Sequence, residues 1–255
     1  MLKTDVMMSS IRWRIENESE VDSTNDLVLE RARLGEPEGL VIIALSQRKG
    51  RGRLGRRWHS PPESGLYFSV LLRPSVQVEQ TAMMSLIAGV AAAEGLAGFT
   101  ERPVGLKWPN DLRIGGKKAG GILCEYEKSG GPPAAVAVGF GINLKPPPGG
   151  FPGNFRAQAT SLEEAGGVGL DAGSTLRPLL ERLGSWYRDF LSNGFEPVKR
   201  RWEALCDNLG DEVQLSLAGG PIRGKVAGID MKGHLLLELP GGNVRAFDSG
   251  EVAEI

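Results

Sequence analysis

The sequence predicts an α+β protein, with a central mixed sheet flanked by helices and a small all-β module at its C-terminal end. Three observations predict it. Apolar runs of strand length, such as Leu40 to Leu45, are interleaved with amphipathic stretches of helical spacing up to about Leu205. From Leu209 the texture changes to short strand-like segments separated by glycine turns. No period of about 20 to 50 residues recurs, which excludes a repeat architecture.

Taken in order, residues 1–22 read as a short polar leader. "DSTNDLVLERARLG" reads as a helix: Ser23 or Thr24 is placed to cap it, acids sit in the first turn, and Gly35 ends it. Leu40 to Leu45 is a strand, and the basic stretch "KGRGRLGRRW", Lys49 to Trp58, is the loop that leaves it. Leu66 to Pro74 alternates into a second strand, and a helix from about Glu79 to Leu96 follows. The segment Ala82 to Phe99 is rich in Ala and Gly and carries Glu94, whereas a membrane span prefers about 20 strongly apolar residues. It therefore reads as a buried helix. A short strand ends in "KWPNDL", Lys107 to Leu112, and a hairpin turns at Gly115-Gly116. Strands "GGILCEYE" and "AAVAVGFGINL" come next, and Lys145 to Asn154, dense in Pro and Gly, is a surface loop. Ser174 to Gly194 carries Leu179, Leu183, Trp186 and Phe190 at helical spacing, and a shorter helix spans about Val198 to Leu205. The final β module of about 45 residues has the pattern of a barrel.

A chain of 255 residues buries a full core and holds one large domain, or one large and one small. Lys plus Arg total 30 against 31 Asp plus Glu, so the net charge of -1 exerts no global attraction on a polyanion. Whatever Lys49 to Arg57 binds, it binds locally. Cys124 and Cys206 lie far apart with no CxxC, and His59 and His234 stand alone, which argues against a zinc cage or disulfide framework and for a reducing cytoplasm. The N-terminus shows no export signal.

Four stretches carry chemistry. In the basic loop, Gly50, Gly52 and Gly55 let the backbone adopt positive φ and expose N–H groups to an anion; Arg51, Arg53 and Arg56 offer planar donors, and Trp58 a stacking face. That set suits a nucleotide with its phosphates, yet Arg/Gly runs also occur in nucleic-acid-binding segments. It does not match GxxxxGK[ST], so a P-loop is not supported. In "KWPND", Asn110 and Asp111 stand at a strand end where ligands are often placed, though Pro-Asn-Asp is also plain turn chemistry. Of Lys117 and Lys118, alternation sends one to each face, so Lys118 can meet a cleft or simply open an exposed strand. In "VGFGIN", Gly139 and Gly141 admit a close approach or mark a bulge.

Together these segments give a resemblance. "STN" at Ser23 to Asn25, "Q..GRGR.GR.W" at Gln47 to Trp58, "KWPND" at Lys107 to Asp111, "KKAGGILCE" at Lys117 to Glu125 and "GFGIN" at Gly139 to Asn143 are similar to the biotin protein ligase family. "RWEAL" through "GIDMKGHLLLE" is similar to its small C-terminal domain. The resemblance runs from about Ser23 to the end of the chain. It implies a class II aminoacyl-tRNA synthetase-like catalytic domain over residues 1–207 and an SH3-like β-barrel over 208–255.

The same resemblance implies that biotin and ATP with Mg²⁺ form biotinyl-5′-adenylate, and that biotin then passes to one lysine of an apo biotin carboxyl carrier protein. By position, Ser23, Thr24, Asn25, Gln47, Gly50, Arg51, Arg53, Lys118, Gly121 and Gly139 would serve biotin. Arg51, Arg53, Arg56, Trp58, Asn110, Lys118 and Asn143 would serve the adenylate, with Gly141 among the backbone positions around the ligand. Lys118 and Arg53 would stabilise the transition state, and Asp111 would orient or deprotonate the carrier amine. The Mg²⁺ ligands are not readable. Arg48 and Lys49 depart from the family's small or neutral residues at the start of the loop. Only about 22 residues precede Ser23, too few for a helix-turn-helix, so DNA-dependent repression is not expected. Neither is a membrane partner; family members often pair as homodimers through a sheet edge. Two other readings compete: a nucleic-acid module, opposed by the charge balance, and a lipoate or octanoate enzyme of the same fold, opposed by the paired GRGR and KWPND motifs.

Overall fold

The computed structural model describes residues 11–75, 83–127, 135–153 and 156–255, together with the backbone of 3–8. In chain order its elements are β1 (Lys3–Met8), β2 (Ile11–Val21), α1 (Thr24–Arg33), β3 (Leu40–Gln47), β4 (Gly65–Leu72), α2 (Met84–Leu96), β5 (Val104–Lys107), β6 (Asp111–Ile114), β7 (Lys117–Glu127) and β8 (Ala135–Asn143). Then come α3 (Ala172–Asn193), α4 (Glu196–Leu205) and the strands β9 (Glu212–Ser216), β10 (Ile222–Ile229), β11 (Leu235–Glu238), β12 (Val244–Phe247) and β13 (Glu251–Glu254). The predicted start of the second helix, about Glu79 to Ala82, and the loop end at Asn154 lie outside the described residues.

The first eight strands form one sheet in the order β1-β2-β3-β4-β8-β7-β6-β5. Only β2 and β3 pair in parallel, which makes the sheet mixed as expected. One expectation fails here: within the stretch read as a leader, β1 and β2 pair antiparallel and extend the sheet. Their polarity misled because β2 buries few of its side chains. Ile11 and Trp13 face the core, Glu18 and Glu20 do not, and Glu16 is buried against Arg31 at 3.1 Å.

The two sheet faces differ. On one, Phe68, Phe140 and Ile122 lie side by side in register, and the two rings stack with centroids 4.5 Å apart. Helix α2 covers this face. It is apolar on nearly every side, because α3 and α4 pack over its outer surface. At its crossing with α3, a side chain on Gly95 would come within 3.0 Å of the Leu179 Cα, so glycine sets the helix separation. The α3 N-terminus begins before the predicted Ser174: Asp171 caps it, accepting from Gly173 and Ser174 N–H, with Ser174 completing the capping box. On the other face, among the described residues, α1 is the one helix that packs, setting Val28, Leu29 and Ala32 against Leu40, Ile42, Leu71, Ala135 and Ala137. The sheet in front of the α1 N-terminus is left uncovered, and that strip becomes the site.

The five C-terminal strands form a second, antiparallel sheet in the order β12-β11-β10-β9-β13. It docks on the first through Trp108, whose Nε1–H donates to the Gly233 carbonyl at 3.1 Å, and through Arg113, paired with Asp207 at 3.2 Å and with Glu254. Among the described residues no helix is long and apolar enough to cross a membrane. Phe140→Ala should lower stability by about 3–5 kcal/mol, read from urea unfolding, because the stacked core cannot collapse around the lost ring.

Candidate functional site

The strip beside α1 is floored by backbone. Across it, Tyr67 on β4, Gly141 on β8, Gly121 on β7, Asp111 on β6 and Lys107 on β5 occupy one register row. Ser69, Gly139 and Leu123 form the adjoining row. Alternation puts all of these on the face opposite the phenylalanine stack. The glycines exist for close approach rather than for unusual torsions. A side chain on Gly139 would collide with Asn25, one on Gly141 with the Trp58 indole, and one on Gly121 would meet that ring at 3.4 Å. The result is a cleft of about 800 Å³.

At the α1 end, a chain of polar side chains closes the cleft. The helix is not capped by its own Ser23 or Thr24 side chain, contrary to expectation. Instead Gln47 Oε1, from β3, accepts from Thr24 N–H at 2.9 Å and from Thr24 Oγ1 at 3.2 Å, and its Nε2–H donates to Ser60 Oγ at 3.0 Å. Buried Ser69 lies 2.7 Å from Thr24 Oγ1 and 2.6 Å from Asn25 Oδ1. Asn25 Nδ2–H donates to the Leu123 carbonyl at 3.1 Å and to Glu125 Oε2 at 2.8 Å. Ser60 and Ser69 carry no motif signal and were not foreseen; Glu125 ends the "KKAGGILCE" stretch but was assigned no role.

The basic loop folds as a small closed turn. Gly52 N–H donates to the Arg56 carbonyl at 2.8 Å and Trp58 N–H to the Gly50 carbonyl at 2.9 Å, so these amides are spent within the loop instead of forming an anion nest. Of its glycines only Gly55 takes positive φ, beside Leu54 with φ of 55°. Gly50 instead allows close packing, since a side chain there would lie 2.6 Å from the Trp58 carbonyl oxygen, and it is not in the cleft wall. Arg51 reaches Asp26 at 2.5 Å and Glu125 at 2.7 Å, which hold its guanidinium proton more tightly than usual. Arg56 forms a two-pronged ion pair with Glu251 of β13, tying the loop to the second sheet. Among the described residues Arg53 has no ion-pair partner; its guanidinium lies 5.9 Å from the centre of the Trp108 ring, and burial pulls its pKa below the usual value.

At the far end Lys118 Nζ meets Asp111 Oδ1 at 2.5 Å and sits 5.6 Å from the centre of the Trp58 ring. A bulge places it there. Between Leu112 and Arg113 the β6–β7 register shifts by one residue, so Lys118 pairs with Arg113 and shares the cleft face with Asp111, while Lys117 is exposed. Strict alternation from Gly121 would have sent Lys118 into the core. Asn110 donates to the Ile122 carbonyl at 2.7 Å and Asn143 to that of Thr160 at 2.9 Å, bonds that brace the strand ends while both residues line the cleft. Residues 250–254 of the second sheet complete the wall. Apart from Gly50, every candidate named from the sequence therefore borders one cleft. Chemically it offers a polar closed end, a bare backbone floor and a cationic far end, which suits a long ligand that is neutral at one end and anionic at the other.

Residues 18–143 match the Biotin/lipoate A/B protein ligase family and residues 209–253 the Biotin protein ligase C terminal domain. The chain is 35% identical over 237 residues to the bifunctional ligase/repressor BirA of Bacillus subtilis (strain 168), covering 93% of this chain and 72% of that one. It is 33% identical to the biotin--[acetyl-CoA-carboxylase] ligase of Paracoccus denitrificans, covering 87% and 92%. Among solved structures, biotin protein ligase from Aquifex aeolicus in complex with biotin and ATP matches with a TM-score of 0.78 at 35% identity, covering 94% of this chain and 97% of that one.

The Arg56–Glu251 pair is mostly exposed, so Glu251→Ala should change global stability by no more than about 1 kcal/mol. It should nevertheless raise amide hydrogen exchange at 51–57 by releasing the loop from the second sheet. Unchanged exchange there would show that the pair does not anchor the loop.

Proposed function

This chain belongs to the biotin protein ligase family, a family of ligases, and we propose that it activates biotin with ATP and transfers it to a lysine of a biotin carboxyl carrier protein. The observation that carries this reading is the glycine floor joining a polar closed end to a cationic end in one cleft. The bicyclic ureido head of biotin would meet the Thr24–Gln47–Ser69–Asn25 network, and the valeryl chain would run over the floor toward Lys118. The adenylate would lie against Trp58, Asn110 and Asn143, with Arg51, Arg53 and Arg56 of the loop over it. On this reading residues 1–207 form the catalytic domain, of class II synthetase-like architecture, and residues 208–255 an SH3-like barrel.

The first step brings two anions together, a carboxylate and the α-phosphate, so catalysis is positioning plus cation stabilisation of developing charge. Lys118 and half-buried Arg53 supply that charge on a low-dielectric floor. Arg51 must exchange Asp26 or Glu125 for a ligand oxygen, which makes loop closure ligand-dependent. No cluster of three possible metal-binding side chains occurs among the described residues. That fits Mg²⁺ carried mainly by the nucleotide's own phosphates, whose charge it would neutralise, with single carboxylates of the cleft at most adding a ligand. In the second step the carrier amine attacks the mixed anhydride and loses a proton. Asp111 lies beside the floor and, once Lys118 has turned to the ligand, is placed to orient or take it. The free thiols of Cys124 and Cys206 agree with a reducing cytoplasm.

Incubation with ATP, Mg²⁺, biotin and an apo carrier domain should add one biotinyl group to the carrier lysine, read by mass spectrometry. Gain with lipoate and none with biotin would refute the assignment. Lys118→Ala should slow adenylate formation by about 100-fold or more, the scale of losing one transition-state charge contact. Arg53→Gly should instead release adenylate faster, followed by trapping free biotinyl-AMP. Asp111→Ala should lose transfer from supplied adenylate; unaltered transfer would remove Asp111 from that role.

A further inference from the structure

We propose that Lys107 forms a subsite for inorganic diphosphate at the outer end of the cleft, binding the leaving group of the adenylation step. The proposal rests on the biotin ligase reading of the cleft and extends it to a residue with no role there. Lys107 ends β5 and stands directly across from Asp111, which stands across from Gly121. Both side chains therefore point over the same face of the sheet, with Cβ atoms about 5 Å apart. Asp111, however, is engaged by Lys118. The other acids near Lys107, Asp207 and Glu254, are engaged by Arg113. Among the described residues the Lys107 side chain consequently has neither a hydrogen bond nor an ion pair, although it is half-buried in the cleft wall.

The other half-buried or buried cations of the cleft sharpen the contrast. Arg51 has Asp26 and Glu125, Arg113 has Asp207 and Glu254, and Lys118 has Asp111; only Arg53 shares the lack of a carboxylate. Burial pulls the pKa of both Lys107 and Arg53 below the usual value, joined at Lys107 by repulsion from Arg113, and the carboxylates near them do not offset it. A half-buried ammonium without a counterion is costly, and an anionic ligand removes that cost. The ligand carries its charge along its length, so position decides which group Lys107 meets. Lys118 lies over the floor beside Trp58, where carboxylate and α-phosphate react. Lys107 stands two strands beyond Gly121, roughly 10 Å out. That is about the reach of the β- and γ-phosphates.

In the step itself, a biotin carboxylate oxygen forms a bond to the α-phosphorus as the bond from that phosphorus to the α,β-bridging oxygen breaks. The electron pair leaves on that oxygen with diphosphate, and no proton needs to move. Charge grows on the leaving group, where an ammonium donor lowers the barrier forward and holds diphosphate for the reverse reaction.

The test uses the full chain and inorganic diphosphate as the probe, measuring biotin-dependent exchange of labelled diphosphate into ATP. Transfer from supplied biotinyl-AMP, which involves no diphosphate, is measured alongside. Lys107→Ala and Lys107→Gln should raise the KM for diphosphate about ten-fold or more, as expected for one charge-assisted hydrogen bond. Lys107→Arg should restore most of it, and transfer should stay within about two-fold in all three variants. An unchanged diphosphate KM overturns the proposal, as does a parallel fall of both half-reactions, which would mark Lys107 as structural. If the parent protein makes adenylate and transfers biotin, a failure lies with the subsite alone; if the parent does neither, the ligase reading falls and takes the subsite with it.

Discussion

One constraint organises this molecule: a strip of sheet on which β7 and β8 carry glycine in adjacent register rows. The reverse side of the same strands is packed with Phe140, Ile122 and Phe68 under α2. Because side chains alternate, a strand that buries large residues on one face is free to present bare backbone on the other. Asn25 and the Trp58 indole lie directly against that backbone, where any Cβ would displace them. The cleft is therefore a consequence of the core: the better the phenylalanine face is packed, the more rigid the floor.

A rigid floor needs walls from distant sequence, and polar contacts deliver them. Gln47 on β3 holds the first turn of α1, Ser69 joins that turn to the sheet, and Glu125 receives both Asn25 and Arg51. The opposite wall comes from the second sheet through Arg56–Glu251, Trp108–Gly233 and Arg113–Glu254. Charge in the cleft is thus largely balanced by partners on other elements. What is left over among the half-buried side chains described, Arg53 and Lys107, is cationic, and on the proposed reading it lies where a polyanionic ligand would be held and released.

Much of this was legible beforehand, and the failures share a cause. The strands, the buried α2, the Gly115-Gly116 hairpin and the β texture after Leu209 follow from local pattern, because propensity and periodicity act over a few residues. The N-terminal strand pair was missed because a strand that buries few of its side chains has the composition of a leader. The loop glycines were read as torsional devices, whereas Gly50 serves packing and only Gly55 takes positive φ. Ser69 gave no signal, and Glu125 and Lys107, though they lie in the "KKAGGILCE" and "KWPND" stretches, were assigned no role, since a glutamate or a lysine in a strand has no partner until its neighbours are known.

By itself, then, the sequence determined most of the elements after the first two strands, the motif residues and their family, all properties of short contiguous stretches. Tertiary structure alone decided which face each residue serves and which charge it meets. The bulge that turns Lys118 into the cleft shifts parity by one residue, and Asp111, Glu125 and Glu251 acquire their partners across 7, 74 and 195 positions of chain. Pairing over such separations depends on strand order and register, which no local pattern encodes.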